Sequence, residues 1–244
     1  MSSSNTRSRF LELDLWRGLA VLAMVGFHFL YDLSFFTQAN VDVYSGFWFW
    51  FARAVAGSFI FLAGISIPLA LHRKKHLNGV SYLVKRGLLL FALGGGITLI
   101  TFLAFPAYTI WFGVLHALGV CTFLSIFFRD KPVLTFATGV LVWGLGILFT
   151  LQVFSTPFWV GIFPVGFNTF DYFPLFPWLG VFLIGMSVSA YWYPHGNARF
   201  SFSIPRNQLT SFFAWCGRKS LLIYLAHQPV LIGIVLVGRA FGFF

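Results

Sequence analysis

Six acidic side chains are all that 244 residues contain, and charged residues of either sign make up only 9%. Soluble domains of this size carry about a quarter of their residues charged, so the composition excludes one. Two cysteines, Cys121 and Cys216, are too few for a disulfide framework or a thiolate metal site, and they read as reduced packing residues. Low-complexity tracts, internal repeats and long polar linkers are missing as well. Residues 1–244 therefore read as one domain with no soluble appendage.

What the chain has in abundance is apolar surface: 59% hydrophobic residues, 34 Phe and a mean hydropathy of +0.85. A bilayer span needs about 20 apolar residues. Seven runs meet that length: Leu13–Phe36, Phe47–Leu71, Gly87–Phe105, Thr109–Phe128, Val133–Leu151, Pro174–Tyr193 and Ser220–Phe241. The expected fold is all-α, a polytopic transmembrane helix bundle of about seven spans in contact with the lipid bilayer. The first run is too long and too polar-striped for a signal-peptide core, so it reads as an uncleaved span.

The net charge of +10 follows from where the basic residues sit. Arg7, Arg9 and Arg17 open the first span; Arg73, Lys74, Lys75, Lys85 and Arg86 separate the second from the third. Arg129 and Lys131 follow the fourth, and Arg199, Arg206, Arg218 and Lys219 precede the seventh. With alternating spans all of these fall on one face, leaving Arg53 and Arg239 toward the other. The positive-inside rule then places the N-terminus in the cytoplasm and the C-terminus outside. No nucleic-acid partner is needed to explain the charge. The loop RKKHLNGVSYLVKR reads as an anchor on anionic lipid or a contact for a phosphorylated substrate. On the outer side, the stretch from Gln152 to Phe173 is rich in aromatics, Gly and Pro, and suggests an interfacial or re-entrant lid.

Ionisable groups inside a bilayer are costly and mark functional positions. Asp14, Arg17, His28 and Asp32 share one face of the first span, within an arc of about 60° at 100° per residue. Converting position to height at 1.5 Å per residue sets His28 and His116 about 10 to 12 Å below the outer surface. Asp32 and Arg53 belong to the same upper layer, with Asp171 at its rim and Trp178 beside it. Near the cytoplasmic side Asp14, Arg17 and Arg86 form a lower layer, where His227, seven residues into the last span, also sits. Ser220, Tyr224 and His227 make a second stripe on the last span, with Gln228 alongside. Polar pockets opening from both faces suit the movement of a chemical group across the membrane without its carrier.

Five strings occur in order: LDLWRGLAVLAMVGFHFLYDL, FIFLAGISIPLA, WFGVLHALGV, FDYFPLFPWLGVFLIGM and CGRKSLLIYLAHQPVL. Together they resemble the bacterial membrane family related to the catalytic domain of heparan-α-glucosaminide N-acetyltransferase. The D-x-x-R-G opening, with its F-H pair, and the SLLIYLAHQP ending also resemble the wider transmembrane acyltransferases, including the type 3 group. The resemblance implies an acyltransferase of the bacterial inner membrane. Its expected reaction moves an acyl group, commonly acetyl, from cytoplasmic acetyl-CoA to a hydroxyl or amine of a saccharide outside. The donor is a substrate, and no bound cofactor or metal is implied.

Within that expectation His28 is the general base, and Asp32, one turn on, orients its imidazole. His116 is a second acid or base, an acyl-accepting histidine or a packing partner. Arg17 and Arg86, with Asp14, suit the donor's phosphates. His227 and Gln228 hold the donor or lock the last helix. Arg53, Asp171 and Trp178 contact the acceptor, or the first two pair with each other. Two other classes fit the same residues: a carrier or flippase for a polar substrate, and a haem held by His28 and His116.

Overall fold

The computed structural model describes residues 10–37, 39, 41–73, 78–150, 168–200 and 203–243. Residues 152–167 of the expected outer lid lie outside them, as do Arg7, Arg9, Lys74 and Lys75. The described residues form α-helices and short 3-10 turns without a strand. The helices are α1 (Leu11–Phe36), α2 (Gly46–Arg73), α3 (Gly79–Ala104), α4 (Val114–Leu124), α5 (Pro132–Thr150), α6 (Leu175–Trp192), α7 (Gln208–Arg218) and α8 (Ser220–Ala240). Six of them, α1, α2, α3, α5, α6 and α8, are long and apolar enough to cross a membrane. The chain is an all-α polytopic membrane protein. It divides into two compact units, residues 1–59 with 201–244, and residues 60–200, α2 passing from one to the other.

In the first unit, α1 is clasped on two sides. Gly18 and Gly217 let α1 and α7 approach to backbone contact: a Cβ on Gly18 would collide with the Phe213 carbonyl, and one on Gly217 with the Asp14 carbonyl. Small residues permit such approaches where no hydrophobic effect drives helices together. Val21, Met24 and Cys216 are buried beside it, packed by Val55, Phe59, Ile223 and Tyr224. α8 lies along α1 in the same direction, with Arg239 donating to the Phe36 carbonyl at 3.0 Å and so satisfying an orphan acceptor at the end of α1. Helix α7 was not anticipated. Its 11 residues are below span length, and the capping pair formed by Asn207 and Thr210 starts it.

The second unit corrects the fourth span without removing it. Instead of a helix over Thr109–Phe128, α4 is 11 residues long, followed by a 3-10 turn at Ser125–Phe127. The segment nevertheless retraces α3. Thr98 donates to the Ile110 carbonyl at 2.6 Å, Gly119 abuts Gly87, and Arg129 reaches Gly79. Residues 79 to 98 rise about 28 Å in a helix, a full crossing. A second observation agrees: Phe170 N donates to Tyr108 O at 3.2 Å and Phe173 N to Phe112 O at 3.0 Å. The connections ahead of α4 and α6 therefore share one end of the unit. The chain between them must run down and back, and α4 and α5 supply the two legs.

α3 also begins eight residues before the expected Gly87, because the Asn78 side chain accepts from Val80 N and Ser81 N and nucleates the helix in the basic loop. Both cysteines are free and buried. Replacing Gly18 by Ala forces α1 from α7 and should cost about 1–3 kcal/mol, as overpacking does, read as a lowered unfolding temperature in detergent. Gly26→Ala is the control. Its Cβ would meet open space, and the temperature should hold.

Candidate functional site

Four of the expected residues meet at the contact of α1 with α8. The His28 and His227 rings stand edge to face with centroids 4.8 Å apart. One turn further, Gln228 Nε2 donates to Asp32 Oδ1 at 2.7 Å across the same seam. Asp32 is 1% exposed and His227 9%. Expected heights put His227 in a lower layer than His28, and the α7 contact explains the difference. With Gly217 held against Asp14 and Gly18, α8 starts level with the third turn of α1, and seven residues later His227 reaches His28.

Each imidazole is anchored to its own helix. His28 Nδ1 lies 2.9 Å from Met24 O, and His227 Nδ1 2.6 Å from Tyr224 O. A carbonyl only accepts, so both protons sit on Nδ1 and both Nε2 atoms carry a lone pair. Asp32 thus does not orient His28 as the spacing suggested. Its carboxylate takes the Gln228 amide, and the Met24 carbonyl aligns the ring.

The seam is left with a chemical imbalance. Asp32 Oδ2, His227 Nε2 and Gln228 Oε1 are buried with no hydrogen-bond partner. All three accept: Gln228 turns its amide nitrogen to the carboxylate, which fixes its oxygen outward, and His227 donates through Nδ1. Buried polar groups without partners are rare and mark a place where a ligand or water completes them. Here the completing group must be a donor.

Pro229 follows directly. It has no N–H to give the Leu225 carbonyl and loosens α8 one residue beyond the pair that lines the seam. At the opposite end of α1, Arg17 and Asp14 pair at 3.3 Å, with Asp14 buried under the α7 crossing. Arg53 stacks on Phe49, its guanidinium carbon 3.4 Å from the ring centroid, and donates to the Phe49 carbonyl at 3.3 Å.

The second unit holds the remaining candidates. His116 is a cap: its Nδ1 accepts from Gly113 N at 3.3 Å, which puts its proton on Nε2, the opposite tautomer to the seam histidines. Its ring fills the space beside Gly94, stacked on Phe112 and edge-on to Phe91. Asp171 caps the same helix, Oδ2 accepting from Val114 N at 3.1 Å where the helix dipole favours an anion. Trp178 packs on Phe173, ring centroids 5.0 Å apart. Arg86 donates to the Tyr82 hydroxyl at 3.1 Å and keeps a buried Nε without a partner.

The sequence reading did not foresee the anchoring carbonyls of Met24 and Tyr224 or the glycine niche at Gly94. The carbonyls have no side-chain signature, since any helical residue supplies one. Gly94 had a visible signal in the run Gly94-Gly95-Gly96.

A family model described as heparan-alpha-glucosaminide N-acetyltransferase, catalytic, matches residues 9–229. No curated protein and no solved structure matches the chain.

Burial raises the Asp171 carboxyl from its ordinary 3.8 to about 6, against the opposing pull of the Val114 and Tyr172 amides. The folded state therefore holds this proton more tightly than the unfolded one. The stability it supplies is complete below about pH 4 and disappears as the pH rises through 6. Thermal unfolding between pH 4 and 7 should show that loss, and Asp171→Asn should flatten it.

Proposed function

The chain belongs to the heparan-α-glucosaminide N-acetyltransferase catalytic family, and from that premise we propose that the α1–α8 seam receives the acyl acceptor, an amine of a saccharide, and that acetyl-CoA is the donor. The observation that carries this reading is the set of buried acceptors without donors. A primary ammonium brings three N–H donors and no acceptor, which matches Asp32 Oδ2, Gln228 Oε1 and His227 Nε2. A hydroxyl brings one donor and would leave two of those atoms unmet, at a cost of about 1–3 kcal/mol each.

In this reading the ammonium first loses one proton to the acceptors that bind it, which exposes the nitrogen lone pair, and His28 Nε2 takes a second as the amine attacks the thioester carbonyl. The C–N bond forms, the C–S bond breaks, and the coenzyme leaves as its thiol with the proton from His28. Asp32 and Gln228 orient the acceptor's N–H groups, and Met24 O keeps the base aligned. Within the first unit Arg17, steadied by Asp14, is assigned to the donor's phosphates. Arg53, in the same unit, is assigned to sugar contacts nearer the opposite face. His116 receives no proton-transfer role, since capping and packing account for it.

The seven-crossing path supports the expected sidedness. Counted with α4 as a crossing, Lys85, Arg86, Arg129, Lys131, Arg206, Arg218 and Lys219 all fall on the face where α1 starts, which the positive-inside rule makes cytoplasmic. The host is then a bacterial inner membrane. In single-cysteine variants, position 131 should label only from the cytoplasm and position 44 only from outside; labelling of both from one side overturns this topology.

Proteoliposomes given labelled acetyl-CoA on the basic face and glucosamine on the other should accumulate labelled N-acetylated sugar. His28→Ala should lower kcat at least 100-fold, the usual contribution of a positioned base. Acetylation of sugar hydroxyls alone would reject the amine reading. Passage of unmodified sugar, with no need for the donor, would favour a carrier.

A further inference from the structure

A protonated amine must shed two protons before it becomes an amide: one to expose the nitrogen lone pair, and a second once the C–N bond has formed. A single base can hold only one at a time. At the seam two imidazoles stand with ring centroids 4.8 Å apart, and both are prepared alike. Each gives its Nδ1 proton to a carbonyl of its own helix and keeps a lone pair on Nε2. One of those lone pairs, His227 Nε2, is buried and unpartnered, as are Asp32 Oδ2 and Gln228 Oε1 of the same seam. A histidine that served only to lock two helices would spend its second nitrogen on the neighbouring helix, and His227 does not.

We propose that His227 is a second catalytic residue, the acceptor of the first proton, and that His28 takes the second. The inference rests on the amine reading above and divides its chemistry between two rings. The ammonium binds with its N–H groups on Asp32, Gln228 and His227, and one proton passes to His227 Nε2. The neutral nitrogen attacks the thioester carbonyl, C–N forming as C–S breaks. His28 Nε2 removes the second proton and delivers it to the departing sulfur, which leaves as a thiol. His227 then releases its proton to solvent, so that ammonium and acetyl-thioester yield amide, thiol and one proton. Charged rings this close repel one another, which keeps the transfers sequential. Asp32, one turn away, the Tyr224 ring, 5.6 Å from His227, and the Phe27 ring, edge-on to His28 at 5.7 Å, also face the pair.

Acceptors that arrive with different proton counts separate the two roles. Glucosamine enters as an ammonium at neutral pH, whereas methoxyamine enters already neutral and has only one proton to lose. With acetyl-CoA and protein in nanodiscs, His227→Gln should lower the ratio of kcat/KM for glucosamine over methoxyamine by about 100-fold, the scale of one proton transfer. His28→Gln should depress both acceptors together and leave that ratio in place. Methoxyamine turnover reports in the same sample that the variant is folded, and His227→Asn provides a second substitution should Gln destabilise the seam. An unchanged ratio in both His227 variants overturns the assignment and leaves the amine reading standing. Wild-type protein that acetylates neither amine overturns the amine reading, and the division of protons with it.

Discussion

A hydrogen-bond acceptor that has been taken out of water and given nothing to accept is the constraint from which the rest of this molecule is best understood. In a membrane there is no solvent to satisfy it, and each such atom costs free energy for as long as it waits. Asp32, His227 and Gln228 present three of them at one contact between two helices. Leu or Phe at these positions would pack α1 against α8 with no such cost. Keeping polar groups there and leaving them incomplete makes sense if another molecule completes them.

That incompleteness depends on a rigid frame. The Gly18–Gly217 crossing fixes where α8 begins along α1, and through it the height at which His227 faces His28. Arg239 fastens the far end of the same pair to Phe36. With both ends held, the seam does not collapse onto its own polar atoms, and each imidazole is turned by a backbone carbonyl that no side-chain substitution can remove.

Much of this was legible in the residues. Composition and run length gave the class, and six of seven spans are helices of crossing length. The polar stripes on α1 and α8 were visible because helical periodicity depends only on local spacing. What spacing could not give was the offset between helices, so His227 was read at the wrong height and the Asp32 carboxylate was assigned to the nearest histidine in sequence, not the nearest amide in space. His116 looked like His28 in depth and chemistry. Gly94 and Gly113, distant or inconspicuous in sequence, make it a cap. α7 escaped notice because 11 residues with Gln, Thr and Ser fall short of any span, although Asn207 with Thr210 three residues later is a start signal.

The abbreviated fourth crossing carries a consequence of its own. Regular α-helix accounts for 11 residues of it, about 17 Å of rise against about 30 Å of hydrocarbon, and the backbone entering it is irregular. Thr98 and Thr101 hydroxyls tend that backbone at Ile110, one donating to its carbonyl and the other accepting from its amide. Seven of those 11 residues are buried, so the short helix is covered by protein on most of its surface, and that cover is what lets a crossing with so little regular helix stand at membrane depth.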